Sequence, residues 1–143
     1  MCVPGQPENE MPKATVEIIK FPKDRRGFVL EPLVSESIAA QKNAHVAMTE
    51  PGGIRGNHYH EHGTEVAVVV GPALVRLRED GVIRDVNVPE GEANRFMLPP
   101  RVAHAFQNTG TKAMLLIAFN TVVFDPAKPD VIRDELIAST PPA

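Results

Sequence analysis

The chain has 143 residues, of which 43% are apolar and 23% charged, values typical of one globular domain with a sizeable core. Its net charge of −3 and its lack of a basic run with interleaved aromatic residues argue against a nucleic-acid partner. No apolar run approaches the roughly 18 residues that a membrane span needs. The N-terminus lacks the pattern of a signal peptide, and the one cysteine, Cys2, permits no intrachain disulfide, so we expect a cytoplasmic protein.

The first residues differ in composition from the remainder. Residues 1–12 are rich in Pro, Gly, Glu and Asn and are predicted to form a flexible tail. No repeat or linker divides residues 13–143, which we expect to form a single domain. Prolines and glycines separate short β-rich segments in this part. The predicted strands, in chain order, are 15–21, 27–33, 44–49, 57–60, 65–70, 74–78, 82–88, 95–98, 104–108 and 114–123.

Little helix is expected between these strands. Residues 35–43 are predicted to form a loop or a single helical turn, and residues 131–138 a short helix. Glu79-Asp80-Gly81 is typical of a hairpin turn, because Asp-Gly tolerates the positive φ angles that such turns require. Many short strands with regular turns predict an all-β sandwich or closed jelly-roll barrel. In a barrel the inward side chains converge on an interior that can hold a small ligand.

Four residues form a candidate metal site. His58 and His60 stand two apart, so on a strand both side chains leave the same face, and Glu65 follows after a short Gly-containing turn. His104, behind a Pro-Pro turn, is the candidate for a fourth ligand. Imidazole and carboxylate groups suit zinc, iron, manganese or nickel, and we expect one such divalent ion. The alternative is that these histidines are hydrogen-bonded polar residues on a barrel wall.

The other two histidines have weaker signals. His62 continues the alternation of His58 and His60 but stands beside a glycine where the strand is expected to end. We therefore favour an exposed loop histidine, with a role behind the metal ligands or in substrate contact as the alternative. His45 lies in another predicted strand without a local partner, and we expect it to have a satisfied structural role.

The chain resembles the cupin superfamily in two sequence motifs. In the first motif, Gly52 precedes His58 by the expected interval, and His60 and Glu65 have the expected separation. The closing glycine, Gly71, comes one residue early. The resemblance implies a cupin double-stranded β-helix that holds one metal ion through His58, His60, Glu65 and His104.

The second cupin motif is matched less completely. Pro99, His104 and Asn108 stand at the expected spacing. Arg101 takes the place of the motif glycine, and Ala93 replaces the leading glycine.

A narrower resemblance is to sugar-nucleotide cupins. It rests on Asp24-Arg25-Arg26-Gly27, on Arg55-Gly56-Asn57-His58-Tyr59-His60, and on Phe124-Asp125-Pro126 with Pro129-Asp130. The chain is similar to the C-terminal cupin domain of bifunctional capsular-polysaccharide enzymes that make N-acetylfucosamine precursors. In those enzymes the cupin domain binds a metal and epimerises a 4-keto sugar nucleotide. We expect a cupin domain here without the reductase domain that precedes it there.

The resemblance implies a metal-dependent epimerase or isomerase of a nucleotide-linked keto sugar in polysaccharide biosynthesis. The same ligand set could instead hold Fe(II) in a dioxygenase-type cupin, or the chain could be a noncatalytic small-molecule-binding cupin.

Residues outside the ligand set can also be assigned. Arg55 could bind a substrate phosphate or an enolate, because a guanidinium binds oxyanions as a fork; a loop-anchoring arginine is the alternative. Tyr59 alternates outward, which favours packing or a dimer contact over acid catalysis. The general base is not identified, and His62 and Glu61 are weak candidates. We expect a homodimer, because an exposed edge strand needs covering, and residues 15–21 could cover it by strand exchange.

Overall fold

The structure is a computed structural model and describes residues 12–139. Within this range the chain forms strands and one short helix, α1 (Ser35–Ile38). The strands are β1 (Thr15–Ile19), β2 (Lys23–Asp24), β3 (Gly27–Phe28), β4 (Asn43–Thr49), β5 (Ile54–His60), β6 (Glu65–Val70), β7 (Ala73–Glu79), β8 (Val82–Val88), β9 (Ala93–Leu98), β10 (Ala103–Asn108), β11 (Met114–Asn120) and β12 (Val131–Arg133).

Two five-stranded antiparallel sheets face each other. The first sheet has the order β1-β9-β6-β11-β4 and the second the order β12-β5-β10-β7-β8; β2 and β3 form a separate hairpin. Alternate apolar residues of both sheets form the core, with Phe96, Leu77 and Leu98 wholly buried. This arrangement confirms the predicted all-β double-stranded β-helix. The polar site is lined by side chains from β4, β5, β6, β10 and β11.

Three expectations for individual elements were wrong. Residues 27–33 form strand only at Gly27–Phe28, because beyond this hairpin the carbonyls of Glu31 and Pro32 accept hydrogen bonds from the side chain of Arg95. Residues 131–138 contain no helix, because β12 pairs with β5 and adds a strand to the second sheet. The last core strand ends at Asn120 rather than at residue 123, because the Asn120 side chain accepts a hydrogen bond from the Val122 backbone and turns the chain.

Other expectations are confirmed. α1 is a single helical turn within residues 35–43, and the β7–β8 hairpin turns through Asp80 (φ 47°) and Gly81 (φ 77°). The predicted tail, residues 1–12, lies outside the described residues except for Pro12. β1 pairs with β9 of the same chain, so its exchange between two copies stays a prediction. Between residues 12 and 139 no helix is long and apolar enough to cross a membrane.

Candidate metal centre

Both sheets contribute to the predicted ligand set. β5 carries His58 and His60, and β10 beside it carries His104 directly opposite His58. Glu65 begins β6 on the facing sheet. One ligand atom from each of the four side chains lies within 4.8 Å of the other three. The tertiary structure therefore brings the four predicted residues into one cluster of a size that one metal ion can bridge.

The hydrogen bonding of His104 fits a metal ligand. Its Nδ1 lies 3.0 Å from the carbonyl oxygen of Val102, so Nδ1 must carry the proton and donate. In the neutral ring Nε2 is then unprotonated and can only accept a hydrogen bond. It is wholly buried and has no hydrogen-bond partner within residues 12–139. Nε2 faces Glu65 Oε2 at 3.1 Å, so two acceptors confront each other. A cation between them would satisfy both acceptors. A metal-binding histidine commonly donates its other ring N–H to a backbone carbonyl, as His104 does here.

The pKa values of the cluster reflect burial and mutual contact. Burial by itself raises the pKa of Glu65, but the contacts with His104 and His60 hold it well below its usual range. Burial is the largest influence on the pKa of His60 and lowers it, yet the 2.5 Å hydrogen bond to Glu65, the Glu65 charge and the contacts with Asp130 together raise this pKa above its usual value. The pKa of His58 falls to about 4, because burial and the neighbouring His104 and His60 disfavour its charged form. Glu65 is thus ionised and His58 neutral at neutral pH, the forms that bind a metal.

Arg55 reaches the same face as the histidines through a β-bulge. Strict alternation from His58 would place Arg55 on the outer face. The pairing with β10 shifts at Asn57, however, and Arg55 stands opposite Phe106, a core residue. Asn57 adopts a left-handed conformation with φ 57° and is the extra residue of the bulge. The Arg55 guanidinium donates hydrogen bonds to Thr49 Oγ1 and the Met48 carbonyl oxygen, which hold it at the cavity wall.

Two backbone positions support the ligands. Gly56 has φ +85°, and a Cβ there would lie 2.7 Å from the carbonyl oxygen of His104, so glycine lets β5 approach the strand that carries this ligand. Arg101 replaces the glycine of the second cupin motif and still adopts the left-handed conformation, with φ 69°. Its N–H donates to the carbonyl oxygen of His60 at 2.8 Å. The motif substitution therefore preserves the loop geometry.

The cluster opens into a cavity of about 510 Å³. Arg55, His58, His60 and Glu65 line it, as expected, whereas His62, Glu61 and Tyr59 do not. His62 is exposed in the β5–β6 turn. The cavity wall also includes residues that the sequence did not single out for this role: Asn43, His45, Asn120, Phe124 and Asp130.

The segment after β11 closes the site from outside. The Asp130 carboxylate accepts hydrogen bonds from the backbone N–H groups of His62 and Gly63, in the turn between the ligands His60 and Glu65. The buried Asn57 side chain accepts from the N–H groups of residues 136 and 137 and donates to the carbonyl oxygen of Ile137. The sequence signal for this segment was the resemblance to sugar-nucleotide cupins at Phe124-Asp125-Pro126 and Pro129-Asp130. It did not indicate that the segment lies over the site.

His45 differs from the role expected for it. It lies on the inner face of β4, where it pairs with the wholly buried Ala118 and lines the cavity. Among residues 12–139 its ring has no hydrogen-bond or ion-pair partner, so the satisfied structural role was wrong. The sequence signal that could have identified it is the alternation of Asn43, His45 and Ala47 along β4.

Several solved structures are similar in fold. CapF, a capsular polysaccharide assembling protein from Staphylococcus aureus, is 24% identical with a TM-score of 0.61 over 82% of this chain and 33% of its own. ChmJ, a 3'-monoepimerase from Streptomyces bikiniensis in complex with dTDP-quinovose, is 21% identical with a TM-score of 0.65 over 80% of this chain and 66% of its own. QdtA, a sugar 3,4-ketoisomerase from Thermoanaerobacterium thermosaccharolyticum in complex with TDP, is 16% identical with a TM-score of 0.64 over 85% of this chain and 88% of its own.

At these identities the similarity concerns the fold, and it agrees with the predicted all-β double-stranded β-helix. The chain spans about a third of the length of CapF. Among curated protein sequences no significant match is found. A family model does match most of the chain, over residues 22–132. The protein therefore belongs to the family of the polysaccharide biosynthesis C-terminal domain.

Proposed function

We propose that the protein is a metal-dependent epimerase or isomerase of a nucleotide-linked keto sugar. The observation that carries this proposal is the opening of the three-His, one-Glu cluster into a cavity that Arg55 also lines. A metal set with access to solvent can accept a substrate oxygen, and a guanidinium nearby can bind an anion. We further propose that residues 13–143 act as one cytoplasmic domain that forms a homodimer.

The similar structures support this choice of substrate class. ChmJ, a 3'-monoepimerase, holds dTDP-quinovose, and QdtA, a sugar 3,4-ketoisomerase, holds TDP. The cavity described above has the mixed character that such a ligand needs. Val122, Val123 and Phe124 give its rim an apolar surface, while Arg55 is the only Lys or Arg among its lining residues in the described part of the chain. We propose that the nucleotide diphosphate is bound at the Arg55 side.

The reaction class demands two things from the site. A proton on a carbon next to a ketone must be removed, and the negative charge that moves to the ketone oxygen must be stabilised. A divalent ion held by His58, His60, Glu65 and His104 would polarise this oxygen. The chain itself supplies the cavity wall, which is apolar at Val122, Val123 and Phe124, and the Arg55 guanidinium that holds the anionic end of the substrate. Proton transfer requires a further side chain in the cavity.

The test uses the metal-loaded protein and TDP-4-keto-6-deoxyglucose, a ligand held by a QdtA variant. In D₂O, NMR should show deuterium entering the carbons beside the ketone and a new isomer or epimer forming. The Glu65→Gln variant should show neither. Full-rate conversion by protein stripped of metal would contradict metal dependence.

The alternatives give different results in the same samples. Oxygen consumption with an iron-loaded protein, without isomer formation, would favour the oxygenase. TDP binding without exchange or turnover across a panel of keto sugar nucleotides would favour a noncatalytic binding protein.

A further inference from the structure

We infer that His45 is the acid–base residue that removes and returns the substrate proton in this cavity. The inference rests on the proposed function, because it assigns the proton-transfer step of that reaction. It concerns a histidine that lies far from the ligand cluster in sequence.

The position of His45 follows from strand pairing. β4 is the edge strand of the first sheet and pairs with β11, and His45 stands opposite Ala118. Ala118 is wholly buried in the core, so this pair points into the barrel. His58, His60 and His104 belong to the second sheet. His45 therefore lines the cavity from one sheet, and His58 and His60 line it from the other.

The ring of His45 is available for proton transfer. In the described part of the chain no group donates to it or accepts from it, and it is accessible to solvent at the wall of the cavity. The other cavity histidines are committed, since His58, His60 and His104 pack ring against ring around Glu65. His45 lines the same cavity as His58 and His60. A histidine that lines this cavity but stands outside the cluster is open to a substrate proton there.

Charged and titratable groups on other elements face the same space. Arg55, His58 and His60 come from β5, and Glu65 comes from β6. Asp130, from the segment before β12, has its carboxylate occupied by the backbone of the β5–β6 turn. The partner of His45 on β11 is an alanine and brings no charge. The remaining lining residues carry no basic group that could serve as the base.

The proposed step is balanced within substrate and side chain. A ring nitrogen of neutral His45 takes the proton from the carbon next to the ketone, and the C–H electron pair moves into a carbon–carbon double bond while the carbonyl pair moves to oxygen. An enolate and a protonated His45 result. For isomerisation, protonated His45 delivers its proton to the same face of the neighbouring carbon while the hydroxyl proton of the first carbon passes to the enolate oxygen, which restores a ketone and a neutral ring. For epimerisation, a proton from solvent reaches the other face of the first carbon, and His45 releases its own proton to solvent. No oxidant or reductant is needed.

The decisive variant is His45→Gln, with His62→Gln as the matched control. Both remove an accessible imidazole, but His62 lies in the β5–β6 turn outside the cavity. With metal-loaded protein and TDP-4-keto-6-deoxyglucose in D₂O, His45→Gln should slow deuterium incorporation by about a hundredfold or more. His62→Gln should match the unaltered protein. TDP affinity, measured by calorimetry, should change by less than about threefold in both variants, because the proton acceptor does not hold the nucleotide.

Chemical rescue separates proton transfer from a structural role. In His45→Ala, added imidazole should restore part of the exchange rate, with a pH dependence that follows the added base. Melting temperatures of all variants show whether they fold. Exchange by His45→Gln at the rate of the unaltered protein would overturn the inference while leaving the proposed function intact. A parallel loss of TDP binding, or lost exchange that imidazole does not rescue in folded His45→Ala, would also overturn it. An unaltered protein without exchange or turnover would overturn the proposed function itself.

Discussion

Arg55 stands directly opposite Phe106 in the β5–β10 ladder, and this pairing places its side chain on the face that carries His58 and His60. The pairing exists because Asn57 occupies an extra position in β5 with φ 57°. Without that bulge every residue before His58 would exchange faces. One backbone irregularity therefore brings the candidate anion-binding residue Arg55 to the cavity that the candidate metal ligands His58 and His60 also line.

Replacing Arg55 by glutamine should weaken TDP binding by about ten- to a hundredfold, because a charge-assisted hydrogen bond to phosphate contributes roughly 1.5–3 kcal/mol. The TDP affinity of Arg55→Lys should lie between those of the unaltered protein and Arg55→Gln, since lysine keeps the charge but loses the forked geometry of the guanidinium. Calorimetric titration with TDP measures the effect. Arg84→Gln removes an equal charge from the exposed part of β8 and should leave affinity unchanged. Equal affinity for Arg55→Gln and Arg84→Gln would place the nucleotide elsewhere.

Replacing Asn57 by alanine should lower the free energy of unfolding by about 2–4 kcal/mol. The change removes three hydrogen bonds to residues 136 and 137, two of them buried, and leaves a residue with a Cβ in a left-handed conformation. Asn57→Gly loses the same hydrogen bonds but tolerates φ 57°. Its free energy of unfolding should therefore be about 1 kcal/mol higher than that of Asn57→Ala. Urea unfolding distinguishes the two. If alanine were no worse than glycine, the bulge would not be under conformational constraint.

Replacing Glu65 by glutamine should reduce metal affinity by at least about a hundredfold, since even residues behind the ligands typically contribute ten- to a hundredfold. Glu65 is the only carboxylate in the ligand cluster. Competition with a chromogenic chelator measures the affinity. Glu61→Gln, which removes an exposed carboxylate from the same turn, is the control. Metal bound equally by both variants would refute the assignment of Glu65 as a ligand.

Metal affinity should decrease as the pH is lowered, because His60 becomes protonated. The folded pKa of His60 in the metal-free protein lies above 6.5, so below that pKa a metal must displace its proton. Affinity should therefore drop by about tenfold per pH unit on the acid side, one proton being released for each ion bound. His58, with a pKa of about 4, should add to the slope only at more acid pH. Affinity that stays constant from about pH 8 to about pH 5.5 would contradict this scheme.

Replacing Arg101 by glycine should stabilise the protein. Arg101 has φ 69°, a conformation that costs a residue with a Cβ roughly 1–2 kcal/mol. Glycine avoids this cost, but the greater flexibility of the unfolded chain reduces the gain by about 0.5–1 kcal/mol. A net gain of up to about 1 kcal/mol in unfolding free energy is expected. Arg101→Ala retains the Cβ and should bring no gain. Thermal or urea unfolding of both variants provides the measurement, and a destabilised glycine variant would show that the arginine side chain contributes a contact of its own.

The sequence alone determined most of the fold and the ligand set. Alternation predicted Val82–Val88 and a run of mostly β-branched residues predicted Glu65–Val70, both with their observed bounds, because these patterns are local properties of a strand. The His58-x-His60 spacing and the two cupin motifs identified all four clustered residues. The short β12 was predicted as a helix, because its strand character depends on the pairing with β5 and not on its own residues.

The tertiary structure decided which of the remaining polar residues share the cavity. Arg55 lines it because of a bulge in β5, which the alternation of the sequence does not predict. His45 lines it from the facing sheet. His62 remains outside although it stands two residues from His60. Spacing along a strand specifies which side chains share a face, whereas membership of one cavity depends on register shifts and on how two sheets lie across from each other. Those relationships arise between residues far apart in the chain, and so the four clustered residues could be predicted from local motifs while the place of His45 in the cavity could not.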